Sequence, residues 1–502
     1  MNKFYITTTL PYVNAEPHIG FALEIIEADV LARFHRQIGD EVFFNTGTDE
    51  HGLKIFRKAE ELKMDAQKYC DEQAESFKKL KGTLNLSFNN FIRTTDEHHV
   101  KAAQEFWERC NSNGDIYKKK YKIKYCVGCE LEKTESELIG GCKCPLHPDQ
   151  EMEIIEEENY FFRFSKYQKD LLALYEKNPE FVLPRKRLNE VKKFVEKGLE
   201  DFSISRVKSK MPWGVEVPGD SEQVMYVWFE ALVNYISAIG WPDDMEKFRK
   251  WWPVVQLAGK DNLRQQVAMW QAMLMSAGIS SSKQIFINGF IGVDGQKMSK
   301  SLGNVISPFE MIEKFGVDGT RYLLLSFGNF GEDMDVSWEK FTEKYNAELA
   351  NGLGNLLSRV IKMSEKLQLN GKELFKEINN YTEKDIDLDE IKKWYQSIFF
   401  EFKLEQVLYG IWLGTSGGYY EKGKLVSHWT LKGIKQMNEY IEKTKPWEFK
   451  ENSKQLKESV VKLFSHLMLY SDLLMPFMPE TSQKIKTALE TKKTGPLFQR
   501  IK

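Results

Sequence analysis

Apolar positions in the first hundred residues switch between short runs and helical spacing. Phe4-Tyr5-Ile6-Thr7-Thr8 reads as a strand, and Leu10-Pro11-Tyr12-Val13-Asn14 as the turn after it. Ile19, Ala22 or Leu23, Ile26, Val30 and Phe34 then recur at steps of three and four, the period of one helix face, and Gly39 stands where such a helix stops. Glu41-Val42-Phe43-Phe44-Asn45-Thr46 is a second strand, running into the polar loop Gly47-Thr48-Asp49-Glu50-His51-Gly52. Units of this kind build a parallel sheet, and ligands sit at the carboxyl ends of its strands. Between about residues 111 and 165 the pattern changes: Lys118-Lys119-Lys120 leads into a cysteine cluster, and Glu151, Glu153, Glu156, Glu157 and Glu158 follow. The α/β pattern returns near residue 225, with Trp228 to Tyr235 helical and with strands at Val254–Ala258 and Gln284–Asn288. Beyond about residue 340 glycine and proline thin out, and amphipathic stripes such as Leu349, Leu353, Leu356, Leu357 and Val360 continue nearly to the end. The chain thus reads as an α/β domain, an insertion, the rest of the α/β domain and a helical domain.

Composition narrows the picture. The 502 residues suggest roughly three domains. Lys and Arg (71) nearly cancel Asp and Glu (73), which excludes a globally basic coat but leaves room for a local basic face. No run of about 20 apolar residues is present, so no membrane partner is expected. The first residues lack the apolar segment of a secretory signal, and a cytoplasmic setting is expected. Six cysteines form no disulfide framework. Cys126, Cys129, Cys142 and Cys144 fall within 19 residues, which in a reducing compartment points to metal.

Three segments carry candidate chemistry. Pro17-His18-Ile19-Gly20-Phe21 lies between a strand and a helix, where free N–H groups and the helix dipole favour phosphate. His18 there either donates to a phosphate oxygen or simply caps the helix, and Gly20 permits close approach of a nucleotide. The loop Asp294-Gly295-Gln296-Lys297-Met298-Ser299-Lys300-Ser301-Leu302-Gly303-Asn304 follows a strand and carries two lysines three apart. Such a loop can close over a triphosphate, although it lacks P-loop spacing and could equally be a solvated basic turn. Cys126-x2-Cys129 and, after 14 intervening residues, Cys144-x2-His147 have the spacing of a closed structural zinc site, with a Cys142-x-Cys144 pairing as the alternative.

The His18-Ile19-Gly20 turn, followed about 280 residues later by Lys297-Met298-Ser299-Lys300-Ser301, resembles the paired signature of class I aminoacyl-tRNA synthetases. Leu10-Pro11-Tyr12-Val13-Asn14, Thr46-Gly47-Thr48-Asp49-Glu50-His51-Gly52, Tyr226-Val227-Trp228-Phe229-Glu230-Ala231-Leu232 and Pro446-Trp447 resemble the methionyl-tRNA synthetase family over essentially the whole chain. The resemblance implies a Rossmann-type catalytic domain in two halves, 1–113 and 225–305. It also implies a connective insertion with a zinc knuckle at 114–224, a lysine-loop and stem-contact region at 306–345, and an all-α helical-bundle anticodon-binding domain at 346–502.

The activity so implied is ligation: L-methionine and ATP with Mg²⁺ give methionyl-adenylate, and the methionyl group then passes to the 3′-terminal adenosine of tRNA(Met), initiator included. By resemblance His18, Lys297 and Lys300 are catalytic, and Pro17, Gly20, Lys260, Asp261, Met298, Ser299 and Ser301 hold ATP. Tyr12, Asp49, Trp228, Ala231, Tyr235, Gln265 and Gln266 surround methionine. Cys126, Cys129, Cys144 and His147 bind zinc, and Asn355, Arg359 and Trp447 meet a CAU anticodon. Trp228, Ala231 and Tyr235 share one helical face, which is equally the mark of ordinary core. No further module follows the helical region, so a monomer is expected.

Three positions depart from the family. Phe21 replaces a second histidine of the first motif, Gln265-Gln266 stand where Phe-His is common, and Asn288 occupies a position usually held by histidine. None of these changes charge near neutral pH. They leave two other readings open: a synthetase for leucine, isoleucine or valine, against which the short insertion argues, and a non-catalytic tRNA-binding relative, against which His18, Lys297 and Lys300 argue.

Overall fold

The computed structural model describes residues 2–128, 131–133, 138–140, 142–298, 303–368, 374, 376–378, 381, 386–421 and 424–502. They form two compact units, one of residues 1–28 and 35–289, the other of residues 29–34 and 290–502.

The first unit is built on a six-stranded sheet in the order Asn90–Arg93, Glu41–Thr48, Lys3–Thr7, Val255–Gly259, Gln284–Asn288, Val182–Leu183. Every neighbouring pair is parallel. Strands covered on both faces are nearly continuous apolar runs, and Phe4-Tyr5-Ile6 and Ile285-Phe286-Ile287 are buried throughout. Ile19, Ala22, Leu23 and Ile26, the first part of the predicted helical stripe, are buried as well. The strand order reverses direction at Lys3–Thr7: successive strands run one way from it, and Val255–Gly259 and Gln284–Asn288 lie on its other side. This is the topological switch point, where the crevice at the carboxyl ends receives ligands in sheets of this kind.

The insertion is an antiparallel ribbon of Ile116–Cys126 against Glu153–Phe162, in register from Ile116↔Phe162 to Tyr125↔Glu153. The lysine-rich and glutamate-rich runs are its two strands. Lys120 stands opposite Glu158 and Lys122 opposite Glu156, with a 3.4 Å ion pair in the latter. Opposite charges across a ribbon stabilise the register modestly.

The second unit is mostly helical. Ser307 and Glu310 form a capping box at the start of Pro308–Ser326. Leu349, Leu353, Leu356, Leu357 and Val360 are all buried, and Phe34 stacks on Phe399 with ring centroids 3.9 Å apart. Within the region expected to be all helical, Thr415–Glu421 and Lys424–Leu431 pair as a β-hairpin. Gly414, at φ 89°, ends the preceding helix, and the Thr, Tyr, Val and Trp content that follows favours extended chain.

Arg321 anchors this unit. It is fully buried, its guanidinium lies 2.8 Å from Asp29 Oδ2, and it donates to the carbonyls of Phe477 (2.8 Å) and Pro476 (2.9 Å). Asp29 also receives Arg33 at 2.7 Å. Removing Arg321 would leave the buried Asp29 to Arg33 alone and take a charged donor from the Phe477 and Pro476 carbonyls, so Arg321→Met should destabilise the helical unit by about 3–5 kcal/mol. Urea unfolding followed by tryptophan fluorescence checks this.

Candidate active site

At the carboxyl end of Glu41–Thr48 the chain forms a loop held from several sides. Glu50 is fully buried, and Arg93 grips it with two bonds, Nε to Oε1 at 2.7 Å and Nη2 to Oε2 at 2.8 Å. Thr48 and Thr95 each donate to the same carboxylate at 2.6 Å. Trp213, from the insertion, donates its indole N–H to the Glu50 carbonyl at 2.6 Å. His51 Nδ1 lies 3.1 Å from Glu230 Oε1.

Between these fixed points sits Asp49. It pairs with Tyr12 as an isolated parallel bridge: the Asp49 N–H donates to the Pro11 carbonyl at 3.0 Å, and the Val13 N–H to the Asp49 carbonyl at 3.3 Å. The turn after the first strand and the loop after the second are thereby joined by backbone. Tyr12 stands edge-on to Trp228, with centroids 6.4 Å apart and planes at 81°, and both pack on the cluster of Tyr226, Val227 and Ala231. The structure therefore gathers Tyr12, Asp49, Trp228 and Ala231 at one place. The Trp228 indole nitrogen is buried there with no hydrogen-bond partner among the described residues.

Tyr235 lies one turn on, in the main core rather than in that cluster. The expected single helix is interrupted by a 3₁₀ turn at Ala231–Val233, which carries Tyr235 inward. Its hydroxyl accepts from Gln266 Nε2 at 2.8 Å, and burial pushes the phenol well up. Gln266 Oε1 in turn accepts from Gln256 at 3.0 Å. Gln265 is buried beside it, with Oε1 unpartnered among the described residues.

At the turn before the first helix, Gly20 N–H donates to His18 Nδ1 at 3.1 Å, so the neutral ring carries its proton on Nε2. His18 is exposed just before the helix Ile19–Gln37, and Pro17 beside it is buried. Lys260 and Asp261 form the short turn after Val255–Gly259. A Cβ on Gly259 would stand 2.6 Å from Asp261 Oδ1, so glycine lets that carboxylate fold back over the strand end. Thr9 donates through both its N–H and its hydroxyl to Glu24 Oε1, each at 2.7 Å. Asn288 donates to Glu27 at 2.5 Å, and Phe21 packs edge-on against Phe77.

In the second unit, Lys297 ends the short strand Gln296–Lys297, with its ammonium 5.3 Å from the Phe290 ring centroid, and Met298 follows it. Ser299, Lys300 and Ser301 lie outside the described residues. Asn355 and Arg359 share the helix Asn355–Ser364. The Arg359 guanidinium lies over the Trp447 ring at 5.0 Å and donates to Glu442 at 2.6 Å, while Trp447 keeps 38% of its surface exposed.

At the tip of the insertion ribbon Cys126, Cys144 and His147 bring their ligand atoms within 4.8 Å of one another. Two thiols and an imidazole are a donor set suited to structural zinc. Cys144 and His147 are paired across a tight turn, Cys126 is buried beside them, and Cys129 lies outside the described residues. Cys142 is exposed, with its thiol 3.9 Å from the Ile139 carbonyl, outside this group.

Sequence reading missed the residues that hold the site. Glu50, Arg93, His51, His99, Glu230 and Glu24 are the principal ones. One signal was available: Glu230 is a charge inside the apolar helical run Val227-Trp228-Phe229-Glu230-Ala231-Leu232.

Comparison with known proteins is consistent along the chain. The family model described as tRNA synthetases class I (M) matches residues 4–154 and 144–361, and that described as the anticodon binding domain of methionyl tRNA ligase matches 427–497. Methionine–tRNA ligase of Thermotoga maritima is 41% identical over 488 residues, 96% of this chain and 74% of that one. The Thermosynechococcus vestitus protein of the same name is 48% identical over 368 residues, 72% of this chain and 69% of its own. A solved structure of Mycobacterium tuberculosis methionyl-tRNA synthetase in complex with methionyl-adenylate superposes with a TM-score of 0.84 at 35% identity, covering 97% of this chain and 93% of that one. Matched in both its α/β and its C-terminal parts, and more than 30% identical to the Thermotoga and Mycobacterium proteins along nearly its whole length, the chain belongs to the methionyl-tRNA synthetase family of ATP-dependent ligases.

Proposed function

We propose a division of labour for the ligation of methionine to tRNA, the activity of this family, in which the crevice at the sheet's switch point joins L-methionine to ATP. The observation that carries this reading is the backbone join of Tyr12 to Asp49 beside Trp228 and Ala231. It fixes the backbone of Asp49 beside that of Tyr12, whose ring stands edge-on to Trp228. Asp49 takes the α-ammonium. Tyr12, Trp228 and Ala231 receive the polarizable thioether side chain, with Tyr235, Gln265 and Gln266 behind them.

The methionine carboxylate attacks the α-phosphorus in line, an O–P bond forms, and the bond to pyrophosphate breaks. No protein nucleophile is needed, so positioning and charge stabilisation supply the catalysis. His18 donates from Nε2 toward the α-phosphate. Pro17 and Gly20 shape its turn. Lys260 and Asp261 hold the ribose side. Lys297 and Lys300, with Met298, Ser299 and Ser301, screen the leaving pyrophosphate. Mg²⁺ accompanies ATP and neutralises part of its charge. In the second step the methionyl group moves to the terminal adenosine of tRNA(Met), initiator included. Asn355, Arg359 and Trp447 read the CAU anticodon, with bases stacking on the indole and guanidinium planes. Cys126, Cys129, Cys144 and His147 hold one structural Zn²⁺, which folds the ribbon tip. The protein works as a monomer in the cytoplasm.

Glu24 has a defined place in this scheme. Burial, and to a smaller extent the charge of Asp261, push its carboxyl up to about 8, although Thr9 donates to it twice. At neutral pH it is uncharged and adds no second negative charge to the nucleotide site.

Four outcomes test these assignments. Methionine, and not leucine, isoleucine or valine, should drive ATP–pyrophosphate exchange. Lys300→Ala should lower kcat far more than it raises the methionine KM, and equal losses would assign Lys300 to general binding. The purified chain should retain close to one zinc after dialysis, and Cys144→Ser should release it. A metal-free native chain with freely titrating thiols in that segment would end the zinc assignment. The fourth test concerns Glu24. Its folded pKa lies above the ordinary 4.5, so the stability it confers is complete below that value and falls away as pH climbs toward about 8. Glu24→Gln keeps an acceptor for Thr9 and should flatten that decline, read as a thermal midpoint that changes less between pH 5 and 8 than the parent's.

A further inference from the structure

Glu230 stands in the chain between two residues of the pocket wall, Trp228 and Ala231, yet its side chain reaches elsewhere. It is fully buried, with Oε1 3.1 Å from His51 Nδ1 and Oε2 3.0 Å from His99 Nε2. His99 is itself fully buried, and its Nδ1 lies 3.0 Å from Ser237 Oγ. Burial alone would raise this carboxyl, but the two imidazoles outweigh it and hold it below the usual range. Glu230 is therefore a carboxylate accepting from two rings.

His51 is two residues beyond Asp49, in the loop already pinned through Glu50 to Arg93, Thr48 and Thr95. The His51–Glu230 bond joins that loop directly to the helix Val227–Glu230. His99, on the helix Glu97–Ser112, ties the same carboxylate to the core behind it. One buried charge thus spans the element that presents Asp49 and the element that presents Trp228 and Ala231.

We propose that Glu230 is a positioning residue for the amino-acid substrate, setting the separation between the carboxylate of Asp49 and the apolar wall so that amine and side chain are received together. The proposal rests on the reading of Asp49 and Trp228 as methionine-binding residues. Hydrogen bonds to an ionised acceptor are stronger than neutral ones and directional, so they transmit position better than packing alone. Displacements well under a side-chain length matter in a site that works by orientation.

The test uses the full-length chain with two inhibitors. L-Methioninol keeps the amine and the thioether but lacks the carboxylate; 4-(methylthio)butanoate keeps the thioether but lacks the amine. Glu230→Gln preserves shape and removes the charge. The methionine KM and the methioninol Ki should rise about tenfold, with kcat and the ATP KM within about twofold of the parent. The Ki of 4-(methylthio)butanoate should not change. Equal weakening of both inhibitors would mean that the pocket has merely deformed, and would overturn the proposal. An unchanged methionine KM would overturn it too, while leaving the functional reading intact. Failure of the parent chain to exchange pyrophosphate with methionine would overturn the functional reading, and this proposal with it. Because Glu230→Gln could disturb folding, His51 supplies a second arm. His51→Asn keeps a donor close to the imidazole Nδ1 and should retain the parent KM, whereas His51→Ala should match Glu230→Gln. Identical behaviour of the two His51 variants would also defeat the proposal.

Discussion

The grip of Arg93 on Glu50 is the interaction on which the amino-acid side of the proposed site depends. A carboxylate with no exposure is costly to desolvate, and only a full set of donors makes it tolerable. Here the set is complete: a guanidinium fork on both oxygens and a threonine hydroxyl on each. Asp71 accepts from the same Nη2 at 2.6 Å. A loop fastened this firmly at its centre can present the neighbouring Asp49 in one place, while the backbone bridge to Tyr12 ties it to the next strand's turn. Binding then requires little ordering, which is where an orienting enzyme gains most.

The insertion shares in this arrangement. Trp213 donates to the Glu50 carbonyl and its own carbonyl accepts from Gly52 N–H, so a segment far along the chain closes the loop from outside. Lys54, just beyond the loop, reaches the Gly128 carbonyl at 3.4 Å, and Arg57 pairs with Glu153 at 2.8 Å. The ribbon that carries the Cys126, Cys144 and His147 group is thus fastened to the helix that follows Asp49.

Much of the fold could be read from the sequence, because strands of a covered parallel sheet are uninterrupted apolar runs and the first helix has a clean three-to-four period. Gln284–Asn288 is found in the structure with the same limits, and the other strands shift by a residue or two. The hairpin at 415–431 was hidden because its neighbours are amphipathic helices and a hairpin of mixed composition gives no strong alternation. Tyr12, Asp49, Trp228 and Ala231 can be named from local motifs. Their supports cannot, since Arg93 meets Glu50 across 43 residues and His99 meets Glu230 across 131. Periodicity reports which face of an element is apolar; it does not report which buried charge finds which partner. The lysine motif is legible only as a motif, for Ser299, Lys300 and Ser301 fall outside the described residues.

The buried amides behind Tyr235 have a direction. Gln271 donates to Ser282 Oγ, Ser282 to Gln256 Oε1, Gln256 to Gln266 Oε1, and Gln266 to the Tyr235 hydroxyl. The Ser282 N–H returns to Gln271 Oε1 and closes the far end. Rotating any one of these three carboxamides by half a turn would set two donors or two acceptors against each other at one of its neighbours. The row therefore has a single permitted sense, anchored at a main-chain N–H, and the orientation of each amide is inherited from the one before it.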